Sequence, residues 1–278
     1  MRKTEDSEKK TGNNDKSSAL IVKVPLNAGA LSKKNGIEKS ADAVLGELKE
    51  IFYIKSEMFE VREIVIDNFN IDSAHKEIAD KSFGIFKSNK GRKIIFIGAD
   101  HSLTYSTFSS FSKAEKGRAA LVVLDAHADA EDSRLTHEDY LRNIIEDGFA
   151  EANDVFIVGL RNYTETEQEY IRQKRINIYS AGRVAENSIG AVADEIIAKT
   201  RGKKLYVSID IDVLEPCFAP GTGYIEPGGL FLRELLELLR RFGEFASVFD
   251  IVEVNPDKDI NNITSKTAAV IIAGILKP

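Results

Sequence analysis

Two stretches of this chain put acids and a histidine at alternate positions directly behind apolar runs. In "LVVLDAHADAED" the run Leu121–Leu124 is followed by Asp125, His127 and Asp129, and in "LYVSIDID" the run Leu205–Ile209 is followed by Asp210 and Asp212. Two further runs end in the same manner: "KIIFIG" leads into Asp100 and His101, and "SVFDIV" leads into Glu253. Alternate residues of an extended segment point to one side. Asp125, His127 and Asp129 can therefore face one point together, and so can Asp210 and Asp212. Counting His101, four carboxylates and two imidazoles are then aimed at one region, and such a cluster repels itself unless a cation lies within it. Six ligands, none a thiolate, exceed a closed tetrahedral zinc site. Carboxylates bridging two hard ions, with imidazole beside them, favour manganese. Two ions about 3.5–4 Å apart lower the pKa of a water between them and hold the hydroxide for attack. The chemistry is hydrolytic.

Each piece taken singly has a plainer reading. A lone D-x-D is commonly an accident of a strand end, and His101 alone could merely neighbour a helix cap, since "DHS" opens "LTYSTFSSFSK". Three clusters, each behind its own apolar run, do not fit those readings together. Elsewhere, His75 is expected on the surface of a helix, and Cys217 as a small filler in a tight loop, since a nucleophilic thiol needs a base beside it. The glycines of Gly221–Gly229 are turn formers without the spacing of a phosphate cradle.

The elements that must position these groups alternate. Continuous apolar runs occur at Ala19–Val24, Arg62–Ile66, Lys93–Gly98, Ala120–Asp125, Asp154–Leu160, Asn177–Ser180, Lys204–Asp210 and Ser247–Val254. Runs of this kind, lacking strict alternation, read as strands covered on both faces. Between them, helical spacing appears at Lys39–Tyr53, Asp72–Lys87, His137–Ala150, Glu165–Lys174, Val184–Thr200 and Leu230–Phe242. A last helix, "TSKTAAVIIAGIL", has Thr264 or Ser265 as its expected cap. Strand–helix alternation along a whole chain predicts a parallel sheet with helices on both sides. In open α/β sheets the ligand crevice lies beyond the carboxyl ends of the strands, where the acids and histidines stand.

Composition bounds the rest. With 278 residues, 43% hydrophobic and 29% charged, the chain is an ordinary globular sequence with ample core. The polar stretch 1–18 is expected to be a disordered tail, and 19–278 a single domain, there being no linker or repeat that would split it. A formal net charge of −6 argues against nucleic acid or an anionic membrane as partner. No run approaches the about 20 apolar residues of a membrane span. One cysteine and no apolar leader point to the cytoplasm.

"GADHS" (Gly98–Ser102), "DAHAD" (Asp125–Asp129), "SIDIDVLEP" (Ser208–Pro216), "APGTGYIEPGGL" (Ala219–Leu230) and "DIVEVNP" (Asp250–Pro256) stand in the order and spacing of the arginase/agmatinase family, the ureohydrolases. The chain resembles that family from about Ala19 onward, and "APGTG" with "EPGGL" is more similar to its agmatinase branch. The resemblance implies a three-layer α/β/α fold, arginase/deacetylase-like, on a mostly parallel sheet of about eight strands. It implies two manganese ions per subunit, one held by His101, Asp125, Asp129 and Asp210 and the other by Asp125, His127, Asp210 and Asp212, with Asp125 and Asp210 bridging. A bridging hydroxide would attack the guanidinium carbon. Asp129 would orient it and pass a proton to the leaving nitrogen, Glu253 would pair with the guanidinium, and His137 would shuttle protons beside the substrate. His137 reads equally as a surface histidine near a helix N-terminus.

Three departures stand out. Ala99 replaces a usual glycine, Glu215 replaces a usual aspartate, and Glu138 and Asp139 follow His137. Those two acids would begin the next helix, or else receive a substrate's distal amine. The implied function is manganese-dependent hydrolysis of a small cationic guanidino compound, foremost agmatine to urea and putrescine, by a homo-oligomer (trimer or hexamer). The alternatives are arginine, guanidinobutyrate or another linear amidine as substrate, or a metal-binding member without turnover. A dinuclear phosphoesterase would want basic residues where Glu253 stands.

Overall fold

The continuous apolar runs do form strands. The computed structural model describes residues 19–31 and 36–277, so the tail expected over 1–18 lies outside the described residues. The strands are β1 (Ala19–Val24), β2 (Phe59–Glu63), β3 (Lys93–Gly98), β4 (Ala119–Leu124), β5 (Val155–Val158), β6 (Asn177–Tyr179), β7 (Lys204–Asp210) and β8 (Ala246–Val252). They pair in the order β2-β1-β3-β8-β7-β4-β5-β6, and every pairing is parallel.

Among the described residues the α-helices are α1 (Ser40–Lys49), α2 (Ile71–Ser88), α3 (Leu103–Ala114), α4 (Tyr140–Glu146), α5 (Glu165–Lys174), α6 (Ala181–Asn187), α7 (Ile189–Lys199), α8 (Leu232–Phe242) and α9 (Ile263–Leu276). Successive strand residues alternate between two apolar layers. Ile95 and Ile97 of β3 join Val44, Leu238 and Ile272 from α1, α8 and α9 on one face. Ile94 and Phe96 join Ile78, Phe108 and Ile144 from α2, α3 and α4 on the other. All six side chains of β4 are buried. At about 1.5–3 kcal/mol for each large apolar side chain buried, these layers offset the cost of gathering charge at one sheet edge.

The sequence reading differs from the structure in several places, beyond the helices expected over Lys39–Tyr53 and His137–Ala150 being shorter, at Ser40–Lys49 and Tyr140–Glu146. The second strand lies three residues earlier than its apolar run, at the sheet edge, where Val61 is exposed. The helix expected over Val184–Thr200 is two helices, broken at Ser188, whose φ is 66°. The last helix is capped neither by Thr264 nor by Ser265; instead Asp259 accepts from both of their backbone N–H groups, each at 2.9 Å. His75, expected on the surface, is 4% exposed. It shares the inward stripe of α2 with Ala74, Ile78 and Phe86, its Nδ1 is 2.7 Å from Ser106 Oγ, and burial pushes its pKa down to about 4.

Candidate metal centre

The sheet order sets the site. β3, β8, β7 and β4 are neighbours at the centre of the sheet, and all point the same way. The four polar strand ends therefore meet: His101 after β3, Glu253 after β8, Asp210 and Asp212 at the end of β7, and Asp125, His127 and Asp129 after β4. Not all arrive by extended backbone. Asp129 has φ 49° and Glu253 φ 63°, both left-handed. Asp212 sits in a single 3-10 turn, Ile211–Val213, whose first N–H groups are steered by Asp210: its Oδ1 accepts from Asp212 N at 2.8 Å.

His101 is the hub. Its Nδ1 lies 3.1 Å from Asp125 Oδ2 and 3.2 Å from both Asp129 Oδ2 and Asp210 Oδ2. The ring is fully buried and stacks on Tyr140, with centroids 4.2 Å apart. Its other nitrogen, Nε2, is 2.9 Å from Ser208 Oγ. Ser208 donates in turn to Asp250 Oδ1 at 2.6 Å, while Asp250 Oδ2 accepts from Thr104 Oγ1 at 2.8 Å and Tyr206 OH at 2.7 Å. On the outer side of the cluster, His127 Nδ1 lies 3.0 Å from Asp212 Oδ2 and 3.6 Å from Asp125 Oδ1.

Among the described residues, two sets of side chains bring ligand atoms within 4.8 Å of one another: His101, Asp125 and Asp210, and Asp125, His127 and Asp212. Asp125 belongs to both, so it is the side chain placed to bridge; Asp210 falls in the first set alone. Asp129 joins that first set through its contact with His101.

The electrostatics ask for cations. Burial raises Asp129 to about 7, with the Asp125 carboxylate adding to it, and burial together with Asp212 drives Asp210 upward. Burial would also raise Asp125, but His101 and His127 hold it well below the usual carboxylate range. Burial opposes charge on His101 as well, yet Asp125, Asp129 and Asp210 raise it well above its ordinary value. Even so, His101 Nδ1 and Asp125 Oδ2 are buried without a hydrogen-bond partner. Such orphans are rare in a folded interior. Buried oxygen and imidazole donors left open, with carboxylates in excess, fit hard divalent ions.

Beyond the cluster opens a cavity of about 270 Å³. His127, Asp129, His137, Asp210, Asp212 and Glu253 line its floor; Glu131, Glu138, Asn162, Tyr163, Thr164, Glu167, Thr222 and Tyr224 form its walls. Glu253 Oε1 accepts from the His101 backbone N–H at 2.9 Å and lies 3.4 Å from His137 Nδ1. Burial would lower His137, but Glu253 overrides it and raises the imidazole to about 9. His137 precedes α4 and lines the cavity with a side chain 13% exposed.

The departures resolve individually. Asp139 is buried and accepts from Thr136, Ser133 and Asn143, so it holds the loop and does not face the cavity, whereas Glu138 does. Glu215 accepts from the backbone of Gly228 and Gly229 at 2.8 and 2.7 Å, which fixes the glycine loop. The Ala99 carbonyl accepts from Glu253 N at 2.8 Å, and no ligand is lost there. Cys217 is exposed and outside the cavity lining. Asp100 anchors the first loop, accepting from Gly29 N at 3.0 Å. A Cβ at Gly29 would come within 2.8 Å of Asp100 Oδ1, so that approach requires glycine.

Sequence reasoning missed the wall that follows β5: Asn162, Tyr163, Thr164 and Glu167. The available signal was position, since "RNYTETE" follows an apolar strand at the same sheet edge.

Comparisons with known proteins agree with this construction. The sequence pattern described as the Arginase family matches residues 17–277. Proclavaminate amidinohydrolase of Streptomyces clavuligerus is 35% identical over 216 residues, which is 75% of this chain and 67% of that protein. Formimidoylglutamase of Bacillus subtilis (strain 168) is 28% identical over 275 residues, 92% of this chain and 86% of that protein. The solved structure of the Streptomyces enzyme superposes with a TM-score of 0.85 at 30% identity, covering 94% of this chain and 91% of the other. The eight-stranded α/β/α fold is thus the arginase fold, and the chain belongs to the arginase family, hydrolases of the C–N bonds of amidines and guanidines.

Proposed function

We propose that the protein hydrolyses agmatine to urea and putrescine, with two manganese ions per subunit. The observation that carries the substrate is the charge of the cavity. Among the described residues its lining holds seven acids and two histidines, and no lysine or arginine. A guanidinium with a cationic tail finds partners along its whole length there. The carboxylate of arginine or guanidinobutyrate would meet like charge in a half-buried space, which costs binding.

Asp125, His127, Asp212, His101, Asp210 and Asp129 would hold the metal pair, whose contribution when bound is a hydroxide available near neutral pH. Glu253, 6% exposed, is the carboxylate for the planar guanidinium fork. Its Oε1 is fixed by the His101 N–H, so the substrate carbon is directed toward the centre. Asp129, beside His101 and on the cavity floor, is the carboxylate placed to take a proton from the nucleophile and return it to the leaving nitrogen. His137, paired with Glu253 at the cavity floor, carries that proton to and from solvent. The reading includes one catalytic domain over 19–278, acting as a homo-oligomer in the cytoplasm.

The test is urea release by the manganese-loaded protein from agmatine, arginine and guanidinobutyrate in parallel. Release from agmatine at a kcat/KM at least tenfold above the other two supports the reading. Preference for a carboxylate-bearing substrate refutes it.

A further inference from the structure

A metal-binding imidazole uses both ring nitrogens: one faces the ion, and the other needs an acceptor that fixes the tautomer and the ring plane. For His101 that acceptor is the buried Ser208–Asp250 pair. His127 has no such pair behind it. Its Nδ1 faces Asp212 and Asp125, and its Nε2 points the other way, to Glu226 Oε1 at 3.5 Å.

Glu226 belongs to no helix or strand. Its carboxylate would sample many rotamers unless held. Two side chains hold it, both from the segment that follows β5. Asn162 Nδ2 donates to the same Oε1 at 2.7 Å. Arg161 fixes the backbone, its Nη2 and Nε donating to the Glu226 carbonyl at 2.6 and 3.2 Å. The same guanidinium donates to the Asp212 carbonyl at 2.6 Å. One arginine thus ties together the loop of Glu226 and the turn that carries Asp212.

We propose that Glu226, held by Asn162 and Arg161, is the positioning residue for His127 and sets the affinity of the His127–Asp212 side of the metal pair. A carboxylate accepting from Nε2–H leaves the Nδ1 lone pair for the ion and makes the imidazole a stronger donor. The His101 side has its own support and is independent of Glu226. This inference rests on the two-ion reading above.

The experiment is calorimetric titration of the metal-stripped protein with Mn²⁺, without substrate, alongside electron paramagnetic resonance of the coupled pair, for wild type, Glu226→Ala and Glu226→Gln. Outer partners of metal-bound histidines typically contribute a factor of about 10–100 in affinity. In Glu226→Ala the second ion is expected to weaken by about that factor, the first to bind as in wild type, and the coupled signal to give way to that of an isolated ion. Glu226→Gln keeps an acceptor oxygen and should recover most of the loss. Wild-type affinity for both ions in Glu226→Ala overturns the assignment, as does equal weakening of both. A wild type that takes up no pair of ions overturns the two-ion reading along with it.

Discussion

Replacing Ser208 by alanine removes one hydroxyl from the most buried part of the site. Ser208, His101, Thr104 and Asp250 are all 0% exposed. The Ser208 Oγ lies 2.9 Å from His101 Nε2, 2.6 Å from Asp250 Oδ1 and 3.1 Å from Thr104 Oγ1. Thr104 keeps its bond to Asp250, so its loss is small. His101 is left with a buried nitrogen lacking an acceptor, which costs about 1–3 kcal/mol, and Asp250 loses a charge-assisted bond worth about 1.5–3 kcal/mol. The sum centres on about 4 kcal/mol, a large share of the about 5–15 kcal/mol that holds a typical domain together. In urea, with m of about 3 kcal/mol/M, the unfolding midpoint should fall by about 1.3 M at unchanged m. Ser73→Ala, exposed on α2, serves as the control and should shift stability by no more than about 0.5 kcal/mol. A midpoint for Ser208→Ala within about 0.3 M of wild type would refute the argument that the Ser208–Asp250 pair supports His101.

His75 makes stability depend on pH. Its folded pKa of about 4 lies below the ordinary 6.5, so the unfolded chain takes up a proton that the folded chain refuses. Stability from this group is full above about pH 7 and falls as the pH drops toward 4, by about 2 kcal/mol between pH 7 and pH 5. His75→Gln should flatten that part of the profile in denaturant titrations at the two pH values; an unchanged slope contradicts the assignment. Glu138 faces the cavity with a side chain 40% exposed. Glu138→Gln should raise the KM for agmatine by about 2- to 5-fold and leave kcat in place, the scale of a half-exposed ion pair. A fall in kcat with KM unchanged would place Glu138 in the chemistry and not in recognition of the tail.

The chemistry of the centre was legible because four apolar runs end in acids or histidines, and a parallel sheet sends all its strand ends to one edge. Their convergence depended on strand order, which spacing does not contain: β3, β8, β7 and β4 come from both ends of the chain. The expectation that Asp125, His127 and Asp129 share a side through extended backbone reached the right outcome by a different route, since Asp129 turns inward with φ 49°. His75 was misplaced because its polarity outweighed its period. Spaced three before Ile78 and four after Ile71, it falls on the apolar stripe of α2. The support that Asn162 and Arg161 give Glu226 was not legible, position aside, because it consists of contacts between loops 64 and 65 positions apart.

The most direct test is urea release from agmatine by manganese-loaded wild type and Asp129→Asn, with metal counted in the same samples. The account predicts two ions per wild-type chain and urea from it. It also predicts a loss of at least about a hundredfold in the variant, the usual contribution of a positioned acid–base group. Undiminished release by Asp129→Asn, or none from a wild type carrying two ions, would contradict it.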